Sequence, residues 1–124
     1  MKRLTAIWIE IPVKDLERAM AFYHAVFELE MGHIDDEGVR RHTALAMFED
    51  GSPGISLNQT ANFEPGDKGN LVYLHVGDDS APLLARVESA GGKIVENKTP
   101  MGATGFYAII NDSEGNVLSL YSNQ

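Results

Sequence analysis

Two side chains combine a reactive group with a setting that could put it to use. Glu10 is a carboxylate inside the apolar run Ile7-Trp8-Ile9-Glu10-Ile11. There it could act as a general base or anchor a polar ligand. His75 sits in a second apolar run, Leu71-Val72-Tyr73-Leu74-His75-Val76, and imidazole exchanges protons near neutral pH. Both also have a plain reading as exposed or hydrogen-bonded strand residues. Glu10 and His75, with His42 as a third donor, would make an improvised metal site. The chain has no cysteine, which removes disulfides, thiolate metal sites and cysteine nucleophiles. It has no serine-centred nucleophile elbow. The glycines between Thr99 and Tyr107 do not form a phosphate loop between a strand and a helix. The acidic run Asp35-Asp36-Glu37-Gly38 lacks the ligand spacing of a calcium loop and reads as a solvated turn.

The elements that would position these residues repeat. Val13 and Val76, Asp15 and Asp78, Ser56 and Ser119, and Leu57 and Leu120 all lie 63 positions apart. The alternating, isoleucine-rich residues 5–13 predict a strand, with Pro12 ending it or placing it at an irregular edge. Asp15 is a good N-cap, and Leu16, Ala19, Met20, Tyr23, Val26 and Phe27 recur at helical spacing to about residue 28. Strands are predicted at 29–36, 39–48 and 55–59. Residues 60–69 are polar with Pro65, Gly66 and Gly69, and read as an exposed connector. The second half repeats the order. A strand at 70–77 leads to a helix opened by Ser80-Ala81-Pro82 and stopped by Gly91-Gly92. Strands follow at 93–97, 105–111 and 116–122.

Composition sets the outer limits. A chain of 124 residues with 44% hydrophobic and 23% charged residues suits one compact domain. The net charge of −8 argues against a nucleic-acid surface, which needs a basic patch. No apolar run approaches the roughly 20 residues of a membrane span, and the start of the chain is too polar for a signal peptide. The expectation is a cytoplasmic protein with neither nucleic acid nor membrane as partner.

The stretch Ile11-Pro12-Val13-Lys14-Asp15-Leu16-Glu17-Arg18-Ala19, followed by Phe22-Tyr23, resembles the first module of the vicinal oxygen chelate superfamily. That group includes glyoxalases, bleomycin-resistance proteins, fosfomycin-resistance transferases and extradiol dioxygenases. Ala90-Gly91-Gly92-Lys93-Ile94-Val95 and Asp112-Ser113-Glu114-Gly115-Asn116 resemble its second-module signatures. The resemblance implies an α+β fold of two βαβββ modules, at 1–60 and 70–124 with a connector at 61–69, forming an open barrel in a homodimer. In metal-using members each module gives one ligand from its first strand and one from its last. Those positions here hold Trp8, Ser56, Leu71 and Ser119. None matches the imidazole, carboxylate or amide donors such a site needs, so no metal and no other cofactor is expected.

Residues two apart on a strand share a face. If Trp8 and Leu71 face the cavity, then Glu10, Pro12, Tyr73 and His75 do too, with Asn58 beside Ser56 and Tyr121 beside Ser119. The loop 99–107 could form a lid ending in Tyr107. The expected ligand contacts are therefore Trp8, Asn58, Tyr73, Tyr107 and Tyr121, with Glu10 and His75 as the acid/base candidates. The leading expectation is a metal-independent small-molecule binding protein. The alternative is a glyoxalase-like lyase or isomerase, metal-dependent through displaced ligands or using Glu10 and His75. A third reading is an interaction module whose cavity is filled by its own side chains.

Overall fold

The computed structural model describes residues 3–124. The first half contains strand β1 (Trp8–Val13), helix α1 (Leu16–Phe27), and strands β2 (Asp35–Asp36), β3 (Arg40–Ala46) and β4 (Gly54–Thr60). The second half contains β5 (Val72–His75), α2 (Ala81–Val87), β6 (Lys93–Pro100), β7 (Phe106–Asn111) and β8 (Val117–Ser122). Each half is a βαβββ module, and each makes one four-stranded sheet. The orders are β1-β4-β3-β2 and β5-β8-β7-β6. The first and last strands of each module pair in parallel, and the others pair antiparallel. No closed barrel forms. Among the described residues, no helix is long and apolar enough to cross a membrane.

The local chemistry explains these elements. Asp15 caps α1 by accepting the Arg18 amide at 3.0 Å. Leu16, Ala19, Phe22, Tyr23 and Val26 then form a buried stripe. The helix ends where Glu28 turns left-handed at φ 58° and its amide closes on the His24 carbonyl. In β1, Ile11 and Val13 enter the core while Trp8, Glu10 and Pro12 take the other face. Pro12 lies within β1 and costs no ladder bond that matters, because β1 is an edge strand pairing only with β4.

Two boundaries differ most from expectation. The second strand is expected over 29–36, but only Asp35 and Asp36 pair, with His42 and Arg41. Met31 and Ile34 pack against the core from unpaired backbone, and Thr43 Oγ1 donates to the His33 carbonyl at 2.7 Å. Their apolar spacing reflects burial without a ladder. In the second module, β6 runs on to Pro100 through two register shifts. The loop expected over 99–107 is thereby shortened to 101–105.

The modules are joined by the turn between β7 and β8. Tyr23 Oη donates to Asp112 Oδ2 at 2.6 Å, and Asn116 Nδ2 donates to the Pro12 carbonyl at 2.8 Å. Glu114 accepts the amides of Lys14 and Asp15 at 2.9 and 3.0 Å and the Arg18 guanidinium at 2.7 Å. Its carboxylate is shut off from solvent. Burial pushes this carboxyl up, but hydrogen bonds from Arg18, Asp15, Ser113 and Lys14 outweigh it and hold the group at about 2. Burial, with the Asp112 carboxylate beside it, pushes the Tyr23 phenol well up.

A depressed carboxyl adds stability above its ordinary pKa and loses it as pH falls through the folded value. The Glu114 contribution is thus complete above about pH 5 and fades between 4.5 and about 2. Glu114→Gln is expected to lower urea stability at pH 7 by about 2–3 kcal/mol. The deficit should shrink below pH 4, and a deficit constant from pH 7 to pH 2.5 would contradict this account.

Candidate functional site

Both sheets keep one face for the helices and turn the other outward. On sheet one the register sets Glu10 beside Ser56, Pro12 beside Asn58, His42 beside Asn58 and Ala44 beside Ser56. Trp8, Glu10, Ser56, Asn58, Arg40 and His42 therefore share the open face, and their polar groups form a chain. Trp8 Nε1 donates to Ser56 Oγ at 3.2 Å, which also accepts Asn58 Nδ2 at 2.7 Å. Arg40 Nη2 donates to Asn58 Oδ1 at 2.7 Å and reaches Glu10 Oε2 at 3.3 Å. Arg40 Nε is buried without a partner among the described residues, 3.8 Å from Glu37. The expected residues Trp8, Glu10 and Asn58 are brought together, with Arg40 as the link between two of them.

Trp8 lies flat over Gly54. A β-carbon at residue 54 would overlap the indole ring carbons, so only glycine admits this placement. The connector then folds over the same face. Glu10, Pro12, Asn58, Thr60, Phe63 and Glu64 line a recess of about 310 Å³. Residues 61–69 are therefore more than a link between modules, although most of them are exposed as expected.

Sheet two presents the second group. Tyr73 pairs with Ser119, and Tyr121 lies between His75 and Tyr107. The His75 and Tyr121 rings meet edge to face at 5.2 Å. Tyr121 packs across Gly105, where a β-carbon would overlap the phenol. A hydrogen bond from Tyr107 to Glu96 leads a rise in the Tyr107 pKa, with burial adding to it. Tyr73, Tyr107, Tyr121 and His75 thus share one face. Glu10 and His75 do not meet within one chain: Glu10 borders the recess under Phe63, and His75 borders a separate cavity beside Arg86. His42 stands 3.9 Å from Asp35 and 3.8 Å from Glu37, within the acidic turn.

The four positions that would carry a metal do not suit one. The Trp8 indole nitrogen is a donor only, and it is spent on Ser56. Leu71 offers no lone pair, and Ser119 Oγ is fully buried. Among the described residues no cluster of three or more His, Cys, Asp or Glu could hold an ion.

The model of the Glyoxalase/Bleomycin resistance protein/Dioxygenase superfamily matches residues 5–120. The chain belongs to that superfamily. Solved structures agree on the fold. A glyoxylase/bleomycin resistance protein/dioxygenase domain from Frankia sp. is 14% identical at TM-score 0.75, covering 98% of this chain and 94% of that one. A fosfomycin resistance protein from Listeria monocytogenes is 14% identical at TM-score 0.70, covering 100% and 94%. Glyoxalase I from Zea mays is 19% identical at TM-score 0.67, covering 94% of this chain and 44% of that one. At these identities the likeness is one of fold, and the fold hosts several chemistries. No curated protein matches the chain in sequence.

Arg40 is the residue that sequence reasoning missed. Placing it on the open face needs the register of β3 on β4, which passes through an irregularity between Ala44 and Ala46. Trp8 supplies a direct check, since the chain has one tryptophan. Gly54→Ala is expected to expel the indole, red-shift its emission and cost about 1–3 kcal/mol. Unchanged emission would show that Trp8 does not lie over residue 54.

Proposed function

We propose that this superfamily member is a metal-independent small-molecule binding protein that works as a homodimer, with its ligand held against the open sheet faces. The observation that carries this reading is the Trp8–Ser56 hydrogen bond over Gly54. Two positions that metal-using relatives would reserve for ligands are here committed to each other. What they present instead is an aromatic surface beside a polar chain through Asn58, Arg40 and Glu10. Tyr73, Tyr107 and Tyr121 add aromatic area with polar tips on the second sheet. Small-molecule sites combine such apolar walls with a few placed polar groups. Tyr and Trp also give large contact area at low entropic cost.

The dimer is supported by exposure. Trp8 is 42% and Tyr73 49% exposed in a single chain, leaving aromatic surface that a second copy could cover. The glyoxalase-like reaction is the competing reading and would need Glu10 and His75 within reach of one substrate. Their separation in the single chain favours binding.

Three measurements test the proposal. Sedimentation is expected to give twice the chain mass. In a thermal-shift screen of small aromatic compounds and antibiotics, a ligand at about 100 times its Kd is expected to add about 2.7 kcal/mol of stability. Its affinity should be unchanged after chelation, and the compound should be recovered intact. Trp8→Ala is expected to weaken binding at least about tenfold, as loss of a stacked aromatic anchor does. Conversion of the compound, or a stoichiometric metal lost on Glu10→Ala or His75→Ala, would replace binding with catalysis.

A further inference from the structure

The duplication creates two equivalent junctions between the modules, and only one is filled. At the first junction Ile11, Val13 and Leu118 are 4%, 2% and 2% exposed. Their counterparts 63 positions away are Leu74, Val76 and Ile55. These three are only partly buried, and they line a cavity of about 460 Å³. The difference lies in the turns. Residues 112–116 pack onto α1 through the Tyr23–Asp112 bond and onto β1 through the Asn116–Pro12 bond. The matching turn of module one, between β3 and β4, folds on itself through a Glu49–Ser52 bridge, and residues 46–52 are exposed. Among the described residues 46–52, only Ala46 borders the gap.

The cavity is mostly apolar, walled by Leu45, Ile55, Leu74, Val76 and Leu83. Its size falls within the roughly 300–1,000 Å³ of small-molecule pockets. Tyr23, Glu28, His75 and Arg86 are the titratable groups that line it. Tyr23 is committed to Asp112. Arg86 is held in place by its Nε and Nη2, which donate to the Val26 carbonyl at 3.1 and 2.6 Å. Its Nη2 also donates to Glu28 Oε1 at 3.3 Å, and among the described residues its Nη1 makes no hydrogen bond, so the two Nη1 N–H groups remain as donors. The Glu28 side chain is 78% exposed and its charge is screened by water. His75 offers a second nitrogen donor at the rim.

We infer that this cavity is a second ligand site, for a small apolar carboxylic acid whose hydrocarbon body fills the gap while its carboxylate bonds Arg86. Its apolar wall lies on the helix side of both sheets, behind the open faces that carry the proposed binding function; only His75, at the end of β5, reaches its rim from the open face, and the inference does not depend on that function.

Amide NMR during titration with 4-phenylbutyrate tests this, with 4-phenylbutan-1-ol and 4-phenylbutylamine as matched probes. The acid is expected to shift Leu74, Val76 and Leu83 and to bind at least tenfold more tightly than the alcohol. Arg86→Met should reduce the acid to the affinity of the alcohol. Arg86 also braces the end of α1, so a second variant acts at the rim. Ala46 lines the cavity and is exposed, and Ala46→Trp should block entry, weakening the acid at least tenfold while the dispersed spectrum of the fold persists. Absence of shifts at these amides with millimolar acid would overturn the inference. So would equal binding of the amine, or an affinity unmoved by Ala46→Trp.

Discussion

The Glu114 carboxylate decides how the two halves of this chain sit together. It takes two backbone amides that lead into α1 and the guanidinium of Arg18. An α-helix leaves its first amides without internal partners, and here a residue about 100 positions away takes the amide of the N-cap Asp15 and of Lys14 before it. Leu16 N finds Gln59, Arg18 N finds Asp15 Oδ1 and Ala19 N finds the Asp15 carbonyl, so most of the N-terminal end of α1 is satisfied. The buried Tyr23–Asp112 bond and the partly buried Asn116–Pro12 bond lie beside it. Each would be costly to leave unmade. The junction is therefore specific in direction as well as favourable in energy.

From that junction the rest follows in order. Fixing α1 fixes the inward face of β1, and period-two alternation then turns Trp8 and Glu10 outward. Parallel pairing sets them beside β4, where Gly54 makes room for the indole and Ser56 receives its N–H. The open face thereby acquires a flat aromatic plate and an adjacent polar chain. A donor-only indole and a hydroxyl already accepting two hydrogen bonds have little to offer a cation.

Much of the architecture was legible from the chain alone. The Asp15 cap, the stripe from Leu16 to Val26 and the 63-residue repeat are short-range signals. They survive because the tertiary structure agrees with them. The face shared by Trp8 and Glu10, and that shared by Tyr73 and His75, also follow from strand alternation. Residues 29–34 misled because apolar spacing reports burial, and Met31 and Ile34 are packed from irregular backbone. Arg40 stayed hidden because its face depends on a strand pairing that passes through an irregularity. The distance between Glu10 and His75 depends on how whole modules dock, and no local pattern carries that information.

The unequal junctions described above bear on what the repeat has become. One module supplies the docking turn, and the other supplies the helix end that receives it. Among the described residues the reverse contact is not made, so the halves have taken complementary roles, as plug and socket. The largely exposed connector holds them at high local concentration, while the contact itself is built from side chains on either side of it. In physical terms the chain is a heterodimer of unlike partners carried on a single polypeptide.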